Sequence, residues 1–446
     1  AGGYIDMDAY FQTTAIPING QPELNVNFQQ KYRRCCATSG IVTVLMASTD
    51  PTFTTNVSSY SILGAFPGSA PSPDPMNMSI NISDIAGGLN GNIYLRFYIG
   101  SGVEAFFWMI DDIYITEAPV NEIEISNGFY GFDGYQYTRI PSSQIQPMDF
   151  SIQSLNNGSA DQTGTNFTVD INNGTSSVFN GSSNDTTINS LSTDTFNLND
   201  FWIPQTNPWL SPYTITLDVF SDSIDETPVN NSQTFPLFQT TYDTWAHDDF
   251  SINPGNGGGN PGPNGVTEYE AGNYYKVINT VDLYEIEIVT GQNTPVGAFI
   301  DVVIYEADFS VSPEEYTEIW RSPGYQIIAS DLGSVHKFSD GCYVGTLQSG
   351  KTYFAAVHSF LDYEYGTSGT SPAPSSLSAI HSAIRYPNMV NPNANASFLL
   401  TQTPMIRLSL DYCGSVDETN TNHFSITPNP TSGNFTITID SDTQES

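Results

Sequence analysis

Apolar residues recur at every second position over most of the chain. Leu24, Val26 and Phe28 form one such set and Ile93, Leu95, Phe97 and Ile99 another; Ile215, Leu217 and Val219, then Tyr284, Ile286 and Ile288, repeat the pattern further on. A period of two places one face of a strand on a core and the other in solvent. Between the alternating runs lie Pro67-Gly68-Ser69, Asn156-Asn157-Gly158-Ser159 and Asn172-Asn173-Gly174-Thr175, whose Asn and Gly accept the positive φ that tight turns need. The pattern predicts an all-β chain. Helical spacing shows at one place, where Leu377, Ile380 and Ile384 precede Pro387 and predict a short helix over 377–386.

Breaks in the pattern divide the chain. Residues 253–265 are all Gly, Pro or Asn, with no side chain to bury, and read as a linker. Another boundary falls at Glu117-Ala118-Pro119, after the aromatic run Phe106-Phe107-Trp108-Met109-Ile110 and its continuation Ile113-Tyr114-Ile115. Polar residues 414–420 follow Cys413 and mark a third. The expected organisation is tandem β-sandwich domains over 1–118, 119–250 and 266–414, a linker over 251–265, and a spacer and tail over 415–446.

Composition narrows the class. With 11 Lys and Arg against 47 Asp and Glu, the 446-residue chain carries a formal charge of −36, which excludes nucleic-acid binding by phosphate neutralisation. Charged residues make up only 13% while aromatics also reach 13%, so solubility rests on neutral polar groups and carboxylates, a combination suited to an exterior β protein. No apolar run approaches the ~20 residues of a membrane-spanning helix. The chain opens on Ala1-Gly2-Gly3-Tyr4, without a charged and apolar leader, and is expected to be processed or truncated there.

Catalytic signatures are sparse. His247, His336, His358, His381 and His423 show no metal-ligand spacing, no G-x-S-x-G elbow occurs, and the G-x-G-x-x-G match at 257–262 falls inside the linker. Paired carboxylates suited to glycoside hydrolysis have no preferred candidates among 47 acids. Asp111 and Asp112 interrupt an apolar strand, where alternation sends one of them toward the covered face. Burial there demands compensation, by a Ca²⁺ ion or by backbone N–H groups or a guanidinium such as Arg96. Asp248-Asp249 poses the same alternatives. Cys342 and Cys413 are either a disulfide closing the third domain or two buried thiols, and Cys35 and Cys36 either a vicinal disulfide or free thiols.

The tail supplies the most specific resemblance. Phe424-Ser425-Ile426-Thr427 runs into Pro428-Asn429-Pro430, Gly433 follows, and a second alternating strand begins at Phe435; this resembles the start of the type A sorting domain of the type IX secretion system of Bacteroidota. The likeness implies export through the type IX translocon, with Phe424, Ile426, Pro428, Asn429, Pro430 and Gly433 as the sorting signal, and a domain continuing past Ser446. Tyr10-Phe11-Gln12-Thr13-Thr14, the strands at Leu24, Val42 and Ile93, and the closing Trp108 to Ile115 run make 1–118 similar to a MAM-like jelly-roll module of the choice-of-anchor J type, which implies further strands before Ala1. Phe150 and Ile152, then Phe167, Val169 and Ile171, then Asp225-Glu226 and Asn230-Asn231 make 119–250 resemble an immunoglobulin-like cell-adhesion-related domain. For 266–414 the pattern gives a sandwich without a family.

These features lead to the expectation of a non-catalytic secreted or cell-surface protein, outside the outer membrane, with an adhesive or structural role. The translocon is its expected partner, with surface glycans or other surface proteins as further ones, and calcium is the only cofactor in view. The alternatives are a carbohydrate-binding protein presenting Trp202, Trp209 or Trp320 to sugar rings, and a secreted hydrolase whose catalytic domain lies outside this chain.

Overall fold

The computed structural model describes residues 8–34, 42–62, 72, 74–100, 105–205, 212–251, 257–258, 268–311, 314–360, 363–368, 381–387, 397–400, 402–411, 424–427 and 436–439. Among them strands supply nearly all regular structure, and the only α-helical turn is Ser83–Ala86. The all-β expectation holds. Among the described residues no helix is long and apolar enough to cross a membrane.

The first unit packs two antiparallel sheets. One runs Asp8–Gln12, Asn90–Gly100, Val42–Ser48, Val57–Ser61, with Ile16–Asn19 also on Asn90–Gly100; the other runs Met76–Asn81, Leu24–Arg34, Ala105–Glu117. The alternating sets Leu24, Val26, Phe28 and Ile93, Leu95, Phe97 point inward from the two sheets and meet in one core with Leu45, Ala47 and Ile82. Each of these Leu, Ile, Val and Phe side chains stabilises the fold by roughly 1.5–3 kcal/mol.

In the second unit a sheet of Thr193–Asn197, Asp149–Asn156 and Ile123–Gly131 faces a larger one. That sheet runs Arg139–Pro141, Ser232–Thr241, Tyr213–Phe220, Gln162–Asn172, Ser177–Ser182. Register pairs Phe167 with Val219, Val169 with Leu217 and Ile171 with Ile215, which lines the apolar positions up on one face. The 225–230 stretch clips the entering strand: Asp225 accepts from the Ile123 N–H at 2.7 Å, and Glu226 from the N–H groups of Val120 and Asn121 at 2.8 and 3.1 Å. Asn230 Nδ2 donates to Glu122 and Glu124.

The third unit sets a sheet of Thr244–Trp245, Ile406–Ser409, Glu285–Val289 and Val335–Phe338 against a wider one running Glu315–Arg321, Phe299–Asp308, Thr352–Phe360, Glu268–Lys276, Ser382–Arg385, Ser397–Leu399. The helix expected over 377–386 is overturned where it can be seen. Ser382–Arg385 is a strand paired with Glu268–Lys276 and Ser397–Leu399; Leu377 and Ile380 lie outside the described residues. Ser382, Ala383 and Ile384 are all buried, so this strand is covered on both faces and shows no period of two.

The expected separation of the second and third units is also not what the structure shows. Thr244–Trp245, from the end of the second unit, pairs with Leu408 and Ser409 in the third, and one continuous core runs from Ile123 to Leu408. Even the all-Gly/Pro/Asn segment is partly docked, because Gly257–Gly258 pairs antiparallel with Tyr365–Gly366. A Cβ at Gly258 would run into the Tyr365 ring, so the missing side chain is what allows the approach.

Candidate functional site

Asp111 and Asp112 are both exposed, and the expected burial is overturned by the backbone. Register passes from Asn27 opposite Tyr114 to Gln29 opposite Asp111, so Asp112 and Ile113 together face Phe28 in a β-bulge. Asp112 takes φ of 51°, a conformation Asp tolerates better than most residues, and its N–H donates to Asp111 Oδ1 at 2.9 Å. The bulge resets the alternation: Trp108 and Ile110 point inward before it, Ile113 and Ile115 after it, and both carboxylates turn to water. The burial that called for a cation is therefore absent, and among the described residues no cluster of three or more His, Cys, Asp or Glu could hold a metal.

Asp248 is buried and answered by protein. Its carboxylate accepts from Arg407 Nη2 at 2.7 Å and from Nε at 3.0 and 3.1 Å, while Asp249 accepts from the Ser251 N–H and the hydroxyls of Ser251 and Ser368. Cys342 is disulfide-bonded; Cys35, Cys36 and Cys413 lie outside the described residues. In the tail, Phe424–Thr427 and Thr436–Ile439 form an antiparallel pair with Phe424 opposite Ile439 and Ile426 opposite Ile437; Pro428, Asn429, Pro430 and Gly433 fall outside the description. Trp202 packs edge-on to Tyr213 at 4.9 Å, Trp320 is packed against the same core, and Trp209 is outside the described residues. Trp202 is therefore committed to the core, while Trp320 is only partly buried.

Two constellations that alternation did not reveal carry the densest chemistry. The first joins the second and third units. His247 is fully buried between them, Nδ1 2.7 Å from the Gln136 carbonyl and Nε2 2.8 Å from that of Tyr274, with the His381 ring 4.2 Å away centroid to centroid. Burial pushes His247 down to about 4, and lowers His381 through burial and then the charge of His247. Trp245, Tyr137 and Tyr275 pack round the pair. Phe250 lies between two guanidinium groups, Arg139 of the second unit at 3.5 Å and Arg407 of the third at 3.6 Å. Such contacts are worth about 2 kcal/mol when desolvated. Gln144 completes the seam, accepting from the N–H groups of Ile278 and Asn279 and donating to the Asn279 carbonyl.

The second occupies the outer face of the wide sheet. Register aligns Arg385, Glu270, His358 and Asp301 across four neighbouring strands. Glu270, almost completely buried, accepts from Arg385 Nη1 at 2.7 Å and the Tyr305 hydroxyl at 2.5 Å. Arg321 bridges Asp301 and Glu318. His358 stands between Asp301 at 2.8 Å and Glu268 at 3.3 Å; the hydrogen bond to Asp301 raises it, and burial only partly opposes that. Burial alone would raise Asp301, but the His358 hydrogen bond and the two neighbouring cations hold it below its ordinary value. Arg385 also stacks on Tyr316 at 3.6 Å. Each charged group of the row is met by an opposite charge, so the arrangement is a self-compensated network rather than an exposed acid and base poised for proton transfer. The sequence hint to both constellations is scarcity: with only 11 Lys and Arg in the chain, each Arg is a marked position. Spacing could not name their partners, since Arg407 and Asp248 stand 159 positions apart.

No family model matches the chain, and no curated protein does. Among solved structures it is similar to a two-domain protein of unknown function from Bacteroides fragilis, at 10% identity, covering 65% of this chain and 94% of that one, with a TM-score of 0.16.

Proposed function

We propose that the chain is a non-catalytic secreted or cell-surface protein of a Bacteroidota bacterium, exported by the type IX machinery, whose jelly-roll and immunoglobulin-like modules serve an adhesive or structural role. The observation carrying this is the C-terminal strand pair. Phe424–Thr427 lies antiparallel to Thr436–Ile439, which supports the sorting-domain reading, in which an aromatic-x-aliphatic strand is followed by a second alternating strand. The fused second and third units add support, since a shared core and a buried ion pair suit a rigid surface element. Deleting 424–446 in the native host should abolish surface display, read by protease shaving of intact cells, while the purified remainder keeps its melting profile. Undiminished display of the truncated protein would refute the sorting assignment.

A further inference from the structure

The first unit carries a second kind of surface, on the solvent face of its larger sheet. Register places Tyr10 opposite Tyr98 and Tyr98 opposite Val44, and in the next row Gln12 opposite Arg96 and Arg96 opposite Met46. Tyr10 is 60% exposed and Val42, at the end of the same face, 46%. Arg96 is held flat between two rings, its Cζ 4.3 Å from the Tyr10 centroid and 4.0 Å from that of Phe53. Phe53 is delivered there by a rigid loop. The N–H and hydroxyl groups of Thr52, Thr54 and Thr55 all donate to the Asp50 carboxylate, and Phe53 adopts φ of 56° at its tip. Gln12 Nε2 ties the loop to the sheet through the Pro51 carbonyl at 2.9 Å.

Within this frame the guanidinium is half used. Nε and Nη2 both donate to Gln12 Oε1, at 3.1 and 2.8 Å, while Nη1 has no acceptor and Arg96 forms no ion pair among the described residues. Arg139, Arg321, Arg385 and Arg407 are by contrast taken up in the two constellations above. An unpaired guanidinium in a chain of charge −36, fixed by stacking and with its outer fork open, matches a planar carboxylate. Tyrosine ring faces match the apolar face of a sugar ring, and the exposed hydroxyls of Thr52, Thr54, Ser59 and Ser61 match its hydroxyls. The overall charge repels polymers that carry an acid on every unit.

From this we infer that the Tyr10–Arg96–Phe53 face of the first unit is a binding site for a glycan bearing a single carboxylated sugar on an otherwise neutral chain. The site deepens the adhesive role proposed above, yet is tested on purified protein, so its failure is separable from failure of the sorting assignment. Isothermal titration of the full chain with sialyllactose and with lactose should show lactose bound at least about tenfold more weakly, the loss expected for one charge-assisted pair. Arg96→Gln should weaken sialyllactose by about the same factor and so close the gap to lactose, whereas Tyr10→Ala should weaken both sugars and keep the gap. Arg96→Lys, which keeps the charge and the aliphatic stem but not the fork, should behave like Arg96→Gln, and an unchanged melting temperature of both variants guards against a folding defect. Equal affinity for the two sugars, insensitivity to Arg96→Gln, no binding of sialyllactose, or tighter binding of an N-acetylated amino acid would each overturn the inference.

Discussion

Replacing Asp248 with Ala asks whether the second and third units melt as one body. Arg407 is 4% exposed and Asp248 wholly buried, so the substitution strands a guanidinium whose principal partner is gone. Removing one member of a buried pair costs about 3–5 kcal/mol. Glu287, 3.8 Å from Nη1, and the Phe250 ring at 3.6 Å remain and place the loss near the lower bound. For a body of this size about 3 kcal/mol corresponds to a fall in melting temperature of roughly 5 °C. Differential scanning calorimetry should resolve two transitions, because the first unit has its own core. Only the transition of the fused pair should move. Pairing Asp248→Leu with Arg407→Met should recover most of the loss, since an apolar replacement leaves no charge behind. A loss below about 1 kcal/mol, or separate melting of 119–250 and 266–411 in the unaltered protein, would refute the argument.

Further outcomes follow from the same groups. The folded-state pKa of His247 lies below that of the unfolded chain, so below about pH 6.5 the unfolded state takes up the proton first. Stability of the fused pair should be full above that pH and fall by about 3 kcal/mol as pH drops toward 4, reached by urea titration at stepped pH. His247→Gln should flatten this slope relative to the unaltered protein, and an unchanged slope would count against a buried neutral imidazole. Peptide mapping without reductant should recover Cys342 joined to Cys413; a cystine linking Cys342 to Cys35 or Cys36 would displace that pairing.

How far the sequence spoke differs from feature to feature. Ile215, Leu217 and Val219 announce a strand and its inner face because half-buried strands must alternate. Ser382, Ala383 and Ile384 do not, because a strand covered on both sides has no reason to alternate, and Ile384 then falls into an accidental helical spacing. At Asp111 and Asp112 the clue was present: the inward apolar positions shift from even at Trp108 and Ile110 to odd at Ile113 and Ile115, which is what an extra residue does to a pleat. The seam was illegible, since pattern tells which face is covered and not what covers it. His247, Asp248 and Arg407 look like ordinary polar residues until the fold brings them together.

The short pairing of Thr244–Trp245 with Leu408–Ser409 also decides how the molecule would carry a pull. Thr244 lies beside Ser409, so tension entering from the N-terminal side and leaving through the C-terminal tail meets at one end of that pair. Antiparallel strands drawn apart from a shared end open rung by rung instead of sliding. Load would break the Leu410 N–H to Asp243 carbonyl bond first, then part Thr244 from Ser409 and Trp245 from Leu408, and only then reach Asp248 and Arg407. If the tail is the tether, the remainder of the third unit, 257–405, lies off the line of force until this seam peels, and functions as a reserve of length that is released only after the clasp gives way.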